Sequence, residues 1–294
     1  MEGTMTSEIP KSTVRKKTTI HSFQSKKNQH LPITILTAYD YPTALLIDNA
    51  EIDAILVGDS LGMVVLGYEN TLPVTMDDML HHCKAVANGA KHALLIGDMP
   101  FMSYQTSTTE AVKNAGRFLQ EAGMDCVKLE GGSCRTETIE AIVNAGIPVM
   151  GHVGLTPQSI NRFGGFRAQG KTAETASRIY HDALALQQAG CFAVVLESIP
   201  HKLAKVITEK LTIPTIGIGA GVHCDGQVLV THDLLGFFDR FKPKFAKQYA
   251  DIGKIMTDAF LEYKEDVESH RFPSWEHAVD VPEDTWQDFI QSIE

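Results

Sequence analysis

At 294 residues and 44% hydrophobic, the chain is long enough for one barrel-sized domain and supplies the apolar material to fill it. A formal net charge of −10 argues against nucleic acid as a partner, and no apolar stretch reaches the ~20 residues of a membrane-spanning helix. The five cysteines are scattered without a C-x-x-C pair, which fits reduced thiols and a cytoplasmic location.

The N-terminus lacks the apolar core of a signal peptide. Residues 11–27 carry six basic side chains and read as a solvated basic tail; Glu2 and Glu8 weigh against a transit peptide. Beyond it, short apolar runs read as strands at 33–36, 54–57, 93–96, 126–129, 148–150, 192–196, 214–218 and 227–230. Helical patterns lie between them. One covers 75–90, opening on Thr75 with Asp78 three residues on, a variant of the capping box. Others cover 108–122, closed by Gly123, and 172–189, closed by Gly190. Residues 200–210 and 241–267 complete the set. Eight strands alternating with helices, with no low-complexity linker, predict an α/β fold, a closed (β/α)8 TIM barrel. The glycine-rich, non-periodic stretch 151–171 follows the fifth strand and reads as a functional loop.

Five of the apolar runs end in a polar or charged residue: Ile55-Leu56-Val57-Gly58-Asp59, Leu94-Leu95-Ile96-Gly97-Asp98, Cys126-Val127-Lys128-Leu129-Glu130, Pro148-Val149-Met150-Gly151-His152 and Ala193-Val194-Val195-Leu196-Glu197. An ionised group at the end of a buried strand is costly unless it is paired or binds a cation. Several such ends, all C-terminal, converge in a parallel barrel on one mouth, where such barrels keep their chemistry. In the fourth strand Val127 and Leu129 share one face and belong against helices, so Lys128 and Glu130 point into the site. Asp59 and Asp98, with Glu130 as a third acid, are candidate ligands for Mg²⁺ or Mn²⁺. The alternative for the two aspartates is capping of the helices that follow. His152 is open between a site-lining group and a core histidine, and His81-His82 reads as surface. Gly217-Ile218-Gly219-Ala220-Gly221 fails the dinucleotide fingerprint, because Val222 stands at the last glycine position; it reads as a tight turn allowing close backbone approach.

Together these segments resemble the ketopantoate hydroxymethyltransferase family. The resemblance rests on TAYDY (37–41), VGDSLGM (57–63), TLPVT (71–75), DMPFM (98–102), VKLEGG (127–132) and GHVGLTPQ (151–158). It continues through Leu196-Glu197, GIGAG (217–221) and DGQVLV (225–230). Residues 133–136 and 222–224 depart from the family's usual pattern without removing a functional position. The likeness covers roughly 17–278, leaving 1–16 as a flexible N-terminal extension and 279–294 as a C-terminal one.

The resemblance implies a barrel of the phosphoenolpyruvate/pyruvate type. It implies transfer of a hydroxymethyl group from 5,10-methylenetetrahydrofolate to 3-methyl-2-oxobutanoate, giving 2-dehydropantoate for pantothenate synthesis. Asp59 and Asp98 would hold Mg²⁺ with Glu130 in the metal shell, and Asp59, Ser60, Asp98 and Lys128 would bind the 2-oxo acid. Glu197 would be the proton acceptor, and Mg²⁺ would stabilise the enolate that forms. The family also implies a homo-oligomer, a decamer. Other readings are a lyase or phosphonate mutase of the same barrel type, a nucleotide-dependent oxidoreductase, and a catalytically silent scaffold.

Overall fold

The computed structural model describes residues 15–237 and 243–294. Eight parallel strands close into a barrel in sequence order. They are β1 (Ile33–Thr37), β2 (Ala54–Val57), β3 (Leu94–Asp98), β4 (Cys126–Glu130), β5 (Val149–Gly154), β6 (Ala193–Glu197), β7 (Thr215–Ile218) and β8 (Gly226–Leu229). Pairing of β1 with β8 through Ile33↔Gly226 and Ile35↔Val228 closes the ring.

The period of two along each strand separates two cores. Inward residues such as Ile35, Leu56, Ile96, Met150 and Val195 fill the lumen. Outward residues such as Ile55, Leu95, Val127, Leu129 and Leu196 pack under the helices. That outer layer is built from α2 (Tyr41–Asn49), α4 (Met76–Gly89), α5 (Thr108–Ala122), α6 (Thr136–Asn144), α8 (Ala173–Gln188) and α9 (His201–Lys210), with a one-turn α3 (Leu61–Val64) after β2. Thr75 and Asp78 form the expected reciprocal cap of α4, and Gly123 ends α5 in the left-handed conformation.

Three expectations change. First, the basic segment is not a solvated tail from Arg15 onward. It contains α1 (Ile20–Asn28), whose Phe23 is fully buried in the lumen cluster, edge-on to Phe192 at 6.0 Å. Lys26 and Lys27 reach Asp53 and Asp225 at 2.6 and 2.7 Å, and Lys17 reaches Asp125 at 2.8 Å. The segment therefore plugs the end of the barrel opposite the strand-end acids. Residues 11–14 lie outside the described residues. Second, β5 runs on to Gly154, past the predicted 148–150. Gly151 interrupts the apolar run because a Cβ there would come within 2.6 Å of Leu186 on α8. Third, the helix expected over 241–267 begins later, as α11 (Ile252–Glu268). Residues 241 and 242 of that range lie outside the described residues. Residues 243–251 run irregularly.

The long loop after β5 contains a 3-10 turn, Pro157–Ser159, and a one-turn helix α7 (Ile160–Phe163). A short α10 (Thr231–Leu235) follows β8, and α12 (Glu283–Ile293) ends the chain. Neither α11 nor α12 has a buried residue.

Candidate active site

Strand register assembles the site. Neighbouring positions on paired strands share a face, and β3–β4 pairs Asp98 with Lys128, β4–β5 pairs Glu130 with His152, and β5–β6 pairs Gly154 with Glu197. All of the predicted residues, Asp59, Ser60, Asp98, Lys128, Glu130, His152 and Glu197, line one cavity of about 530 Å³ at the C-terminal mouth. All but Ser60 and Glu197 are buried, and the Glu197 side chain is 15% exposed, the rim acid of the group.

The two Gly-Asp pairs look alike in sequence and differ in place. Asp98 is the last residue of β3, and the preceding Gly97 faces outward, where a Cβ would strike the Phe118 ring at 2.4 Å. Asp59 lies beyond the end of β2, and there Gly58 leaves room for the Ser60 hydroxyl, which a Cβ would meet at 2.8 Å. Neither carboxylate caps a helix. Asp98 Oδ2 accepts the Asp59 N–H at 3.1 Å and its Oδ1 lies 2.8 Å from Lys128 Nζ. Asp59 Oδ2 accepts from Gln158 Nε2 at 2.9 Å. Ser60 Oγ bonds the Tyr39 hydroxyl at 2.8 Å.

Gln158 carried no signal in the sequence beyond its place in a matching segment, yet it ties the acids together. Its side-chain amide also donates to the Met99 carbonyl at 2.9 Å, and its backbone N–H donates to Glu130 Oε2 at 3.0 Å. The Tyr104 hydroxyl donates to its Oε1 at 2.6 Å. A neutral residue in a non-periodic loop shows its role only through contacts, as does Tyr104. His152 is resolved as site-lining. Its Nε2 is 3.2 Å from Glu197 Oε2 and its Nδ1 3.6 Å from Glu130 Oε1, ion-pair distances without an aligned hydrogen bond. His81 is exposed, as expected; His82 is half-buried, with Nδ1 2.6 Å from the Tyr39 carbonyl.

The charges shift one another. Burial, then the neighbouring Asp98 and Glu130, push the Asp59 carboxyl well above the usual carboxylate range, against Lys128 and Gln158. Burial opposes the charge on Lys128, but Asp98, Glu130 and Asp59 outweigh it and hold the ammonium charged. Burial and Lys128 likewise oppose a charged His152, yet Glu130 and Glu197 carry it up to about 9. With both ring nitrogens facing carboxylates, a protonated His152 would have no lone pair with which to accept a proton.

Four acids, Asp59, Asp98, Glu130 and Glu197, thus face two cations, Lys128 and His152, in one largely buried site, an excess of acid groups that adds to burial in raising the Asp59 carboxyl. A divalent cation would balance that excess. Among the described residues no three His, Cys, Asp or Glu side chains stand close enough to hold an ion on their own. Asp59 and Asp98, linked through the 3.1 Å bond, offer a two-carboxylate seat with positions left for water and substrate oxygens, which suits Mg²⁺.

The molecule is therefore a (β/α)8 barrel with an acid-and-lysine site at its C-terminal mouth. Among solved structures it is similar to phosphonopyruvate hydrolase, with a TM-score of 0.59 at 12% identity over 94% of this chain and 98% of that one. It is also similar to 2,3-dimethylmalate lyase, described as a PEP mutase/isocitrate lyase superfamily member, with a TM-score of 0.55 at 13% identity over 94% and 99%. At such identities the likeness concerns the fold. The sequence goes further: the profile of the family described as ketopantoate hydroxymethyltransferase matches residues 17–275. The 3-methyl-2-oxobutanoate hydroxymethyltransferase of Clostridium botulinum is 58% identical over 266 residues, 90% of this chain and 97% of the relative. That of Acetivibrio thermocellus is 57% identical over 270 residues, 92% and 95%. The chain belongs to the ketopantoate hydroxymethyltransferase family.

Proposed function

We propose that this enzyme transfers a hydroxymethyl group from 5,10-methylenetetrahydrofolate to 3-methyl-2-oxobutanoate, forming 2-dehydropantoate, a step of pantothenate synthesis. The observation that carries the chemistry is Lys128, held charged 2.8 Å from Asp98 beside the two-carboxylate seat, with Glu197 at the rim. Asp59 and Asp98 would hold Mg²⁺, with Glu130 braced by Gln158 in its shell. When bound, Mg²⁺ supplies Lewis-acid polarisation of the 2-oxo acid's carboxylate and keto oxygens.

The protein's own groups do the rest. Ser60 and Lys128 bind and orient the oxo acid, and Lys128 places a positive charge where the enolate oxygen develops. Because its neighbours favour the ammonium, Lys128 serves as an electrostatic partner rather than as an amine nucleophile, which requires a free lone pair. Glu197 accepts the proton from C3, and charged His152 at 3.2 Å holds that carboxylate in place. The carbanion at C3 forms a C–C bond to the one-carbon unit as the first of its two C–N bonds to the folate breaks; water then displaces the second folate nitrogen and supplies the hydroxyl oxygen, and both nitrogens leave as N–H.

The homo-oligomer implied by the family is supported by α11 and α12, which expose Phe260, Trp286 and Phe289 and have no buried residue. A lyase or mutase shares the barrel, but the relatives that match at high identity carry the hydroxymethyltransferase name. Turnover of 3-methyl-2-oxobutanoate with 5,10-methylenetetrahydrofolate, with and without Mg²⁺, tests the reading. Metal-dependent formation of 2-dehydropantoate is expected; cleavage of a C–C or C–P bond in place of one-carbon transfer would overturn it.

A further inference from the structure

The charged cluster occupies the part of the cavity over β2 to β6. The remaining wall comes from Thr37 of β1, from β7 and β8 and from the segments after them, and there Ile218, Val228, Val230 and Phe245 are apolar. Asp233, on α10, is the exception. It is half-buried, and burial alone pushes its carboxyl up to about 6, with no donor pulling it back. Among the described residues its carboxylate has no hydrogen-bond or ion-pair partner, the residue's bonds to Val230 and Gly236 being made by its backbone. Lys244 lines the same wall but is exposed and does not pair with it. An unpaired carboxylate on an apolar wall is costly unless a ligand brings N–H groups to it.

The glycine-rich turn after β7 contributes to the same wall. Gly219 has a positive φ of 64°, and a Cβ there would come within 2.8 Å of the Phe245 ring. Absence of that atom seats an aromatic ring directly on the turn, in the wall that holds Asp233. The 2-oxo acid does not suit this wall: it is anionic, and Asp233 would repel it. An apolar slot with one acceptor-only carboxylate suits a flat, neutral heterocycle with two adjacent N–H donors.

We propose that Asp233 and Phe245 form the seat of the folate's bicyclic ring, the carboxylate accepting from the amino group and ring N–H of the 2-amino-4-oxopyrimidine edge while Phe245 covers the ring's apolar surface. This inference rests on the hydroxymethyl-transfer reading and deepens it by placing the co-substrate opposite the metal seat, with the one-carbon unit directed across the cavity toward Glu197.

The test compares binding of tetrahydrofolate with that of its 2-desamino analogue, by fluorescence titration of the Mg²⁺-loaded, oxo-acid-bound enzyme. The wild type should prefer the amino compound about ten- to a hundredfold, because a site built to accept a hydrogen bond rejects a ligand lacking the donor. Asp233→Asn, which keeps the shape and loses the charge, should lose about tenfold or more of that preference, and Asp233→Glu should restore part of it. Binding of the 2-oxo acid at wild-type affinity in both variants establishes that the site is folded. A preference undiminished in Asp233→Asn would overturn the assignment. A wild type that binds the oxo acid but never turns over with the folate would instead overturn the hydroxymethyl-transfer reading beneath it.

Discussion

Asp59 and Asp98 sit side by side at a mouth where Lys128 satisfies only one of them, and at the residue scale the proposed function predicts a dependence on metal. Asp98→Asn removes a ligand charge while leaving the backbone bond from Asp59 an oxygen to reach. Mg²⁺ or Mn²⁺ affinity, measured by titration calorimetry, should fall at least tenfold, and thermal stability in the absence of metal should fall as well, because buried Lys128 loses its partner. Unaltered metal affinity in both Asp98→Asn and Asp59→Asn would remove them as ligands. The acids were legible in the sequence because a charge at the end of an apolar run is conspicuous, and Lys128 and Glu130 because alternation within β4 sends them inward. Gln158 and Asp233 were not. Gln158 is neutral and its five hydrogen-bond contacts, to Asp59, Met99, Tyr104, Gln105 and Glu130, are visible only in three dimensions. Asp233 follows β8 at a distance that no strand-end rule covers.

Among the elements, α1 is the one whose role the sequence concealed. Its helix has few apolar residues, and the surrounding lysines dominate the pattern, so Phe23 passed as part of a charged tail. In the structure Phe23 closes the lumen. Phe23→Ala should cost about 3–5 kcal/mol in urea unfolding while leaving kcat of the folded enzyme close to wild type, because the plug is at the end of the barrel away from the site. A loss below 1 kcal/mol would show the plug to be dispensable. A second joint lies where α2 meets the start of β3. Burial would raise the Asp48 carboxyl, but the N–H groups of Lys91, Ala93 and His92, with the His92 ring, bring it down to about 2. A folded pKa below the unfolded one adds stability that is complete above about pH 4 and is lost as pH falls from about 4 toward 2, about 2 kcal/mol in all. Unfolding midpoints measured across that window should converge for wild type and Asp48→Asn; parallel curves would contradict the assignment.

For the whole molecule, eight short apolar runs alternating with capped helices pointed to the barrel, because each strand must be buried on both faces and eight parallel strands close around a lumen filled by their own side chains. The start of α11 was not legible, since 243–251 has the composition of a helix but is drawn back to set Phe245 on Gly219. The exposed faces of α11 and α12 likewise take no part in the core of the barrel. The lumen, the plug and the paired registers all serve to hold one constellation, in which, on the proposed function, Asp59, Asp98 and Lys128 would bind a 2-oxo acid and Glu197 would take its C3 proton. That step can be observed without the folate, by NMR of 3-methyl-2-oxobutanoate in D₂O with Mg²⁺. The wild type should exchange the C3 hydrogen for deuterium, and Glu197→Gln, which still binds the oxo acid, should exchange it ~10²–10⁴-fold more slowly. Exchange at the wild-type rate in Glu197→Gln would place the base elsewhere and contradict the account.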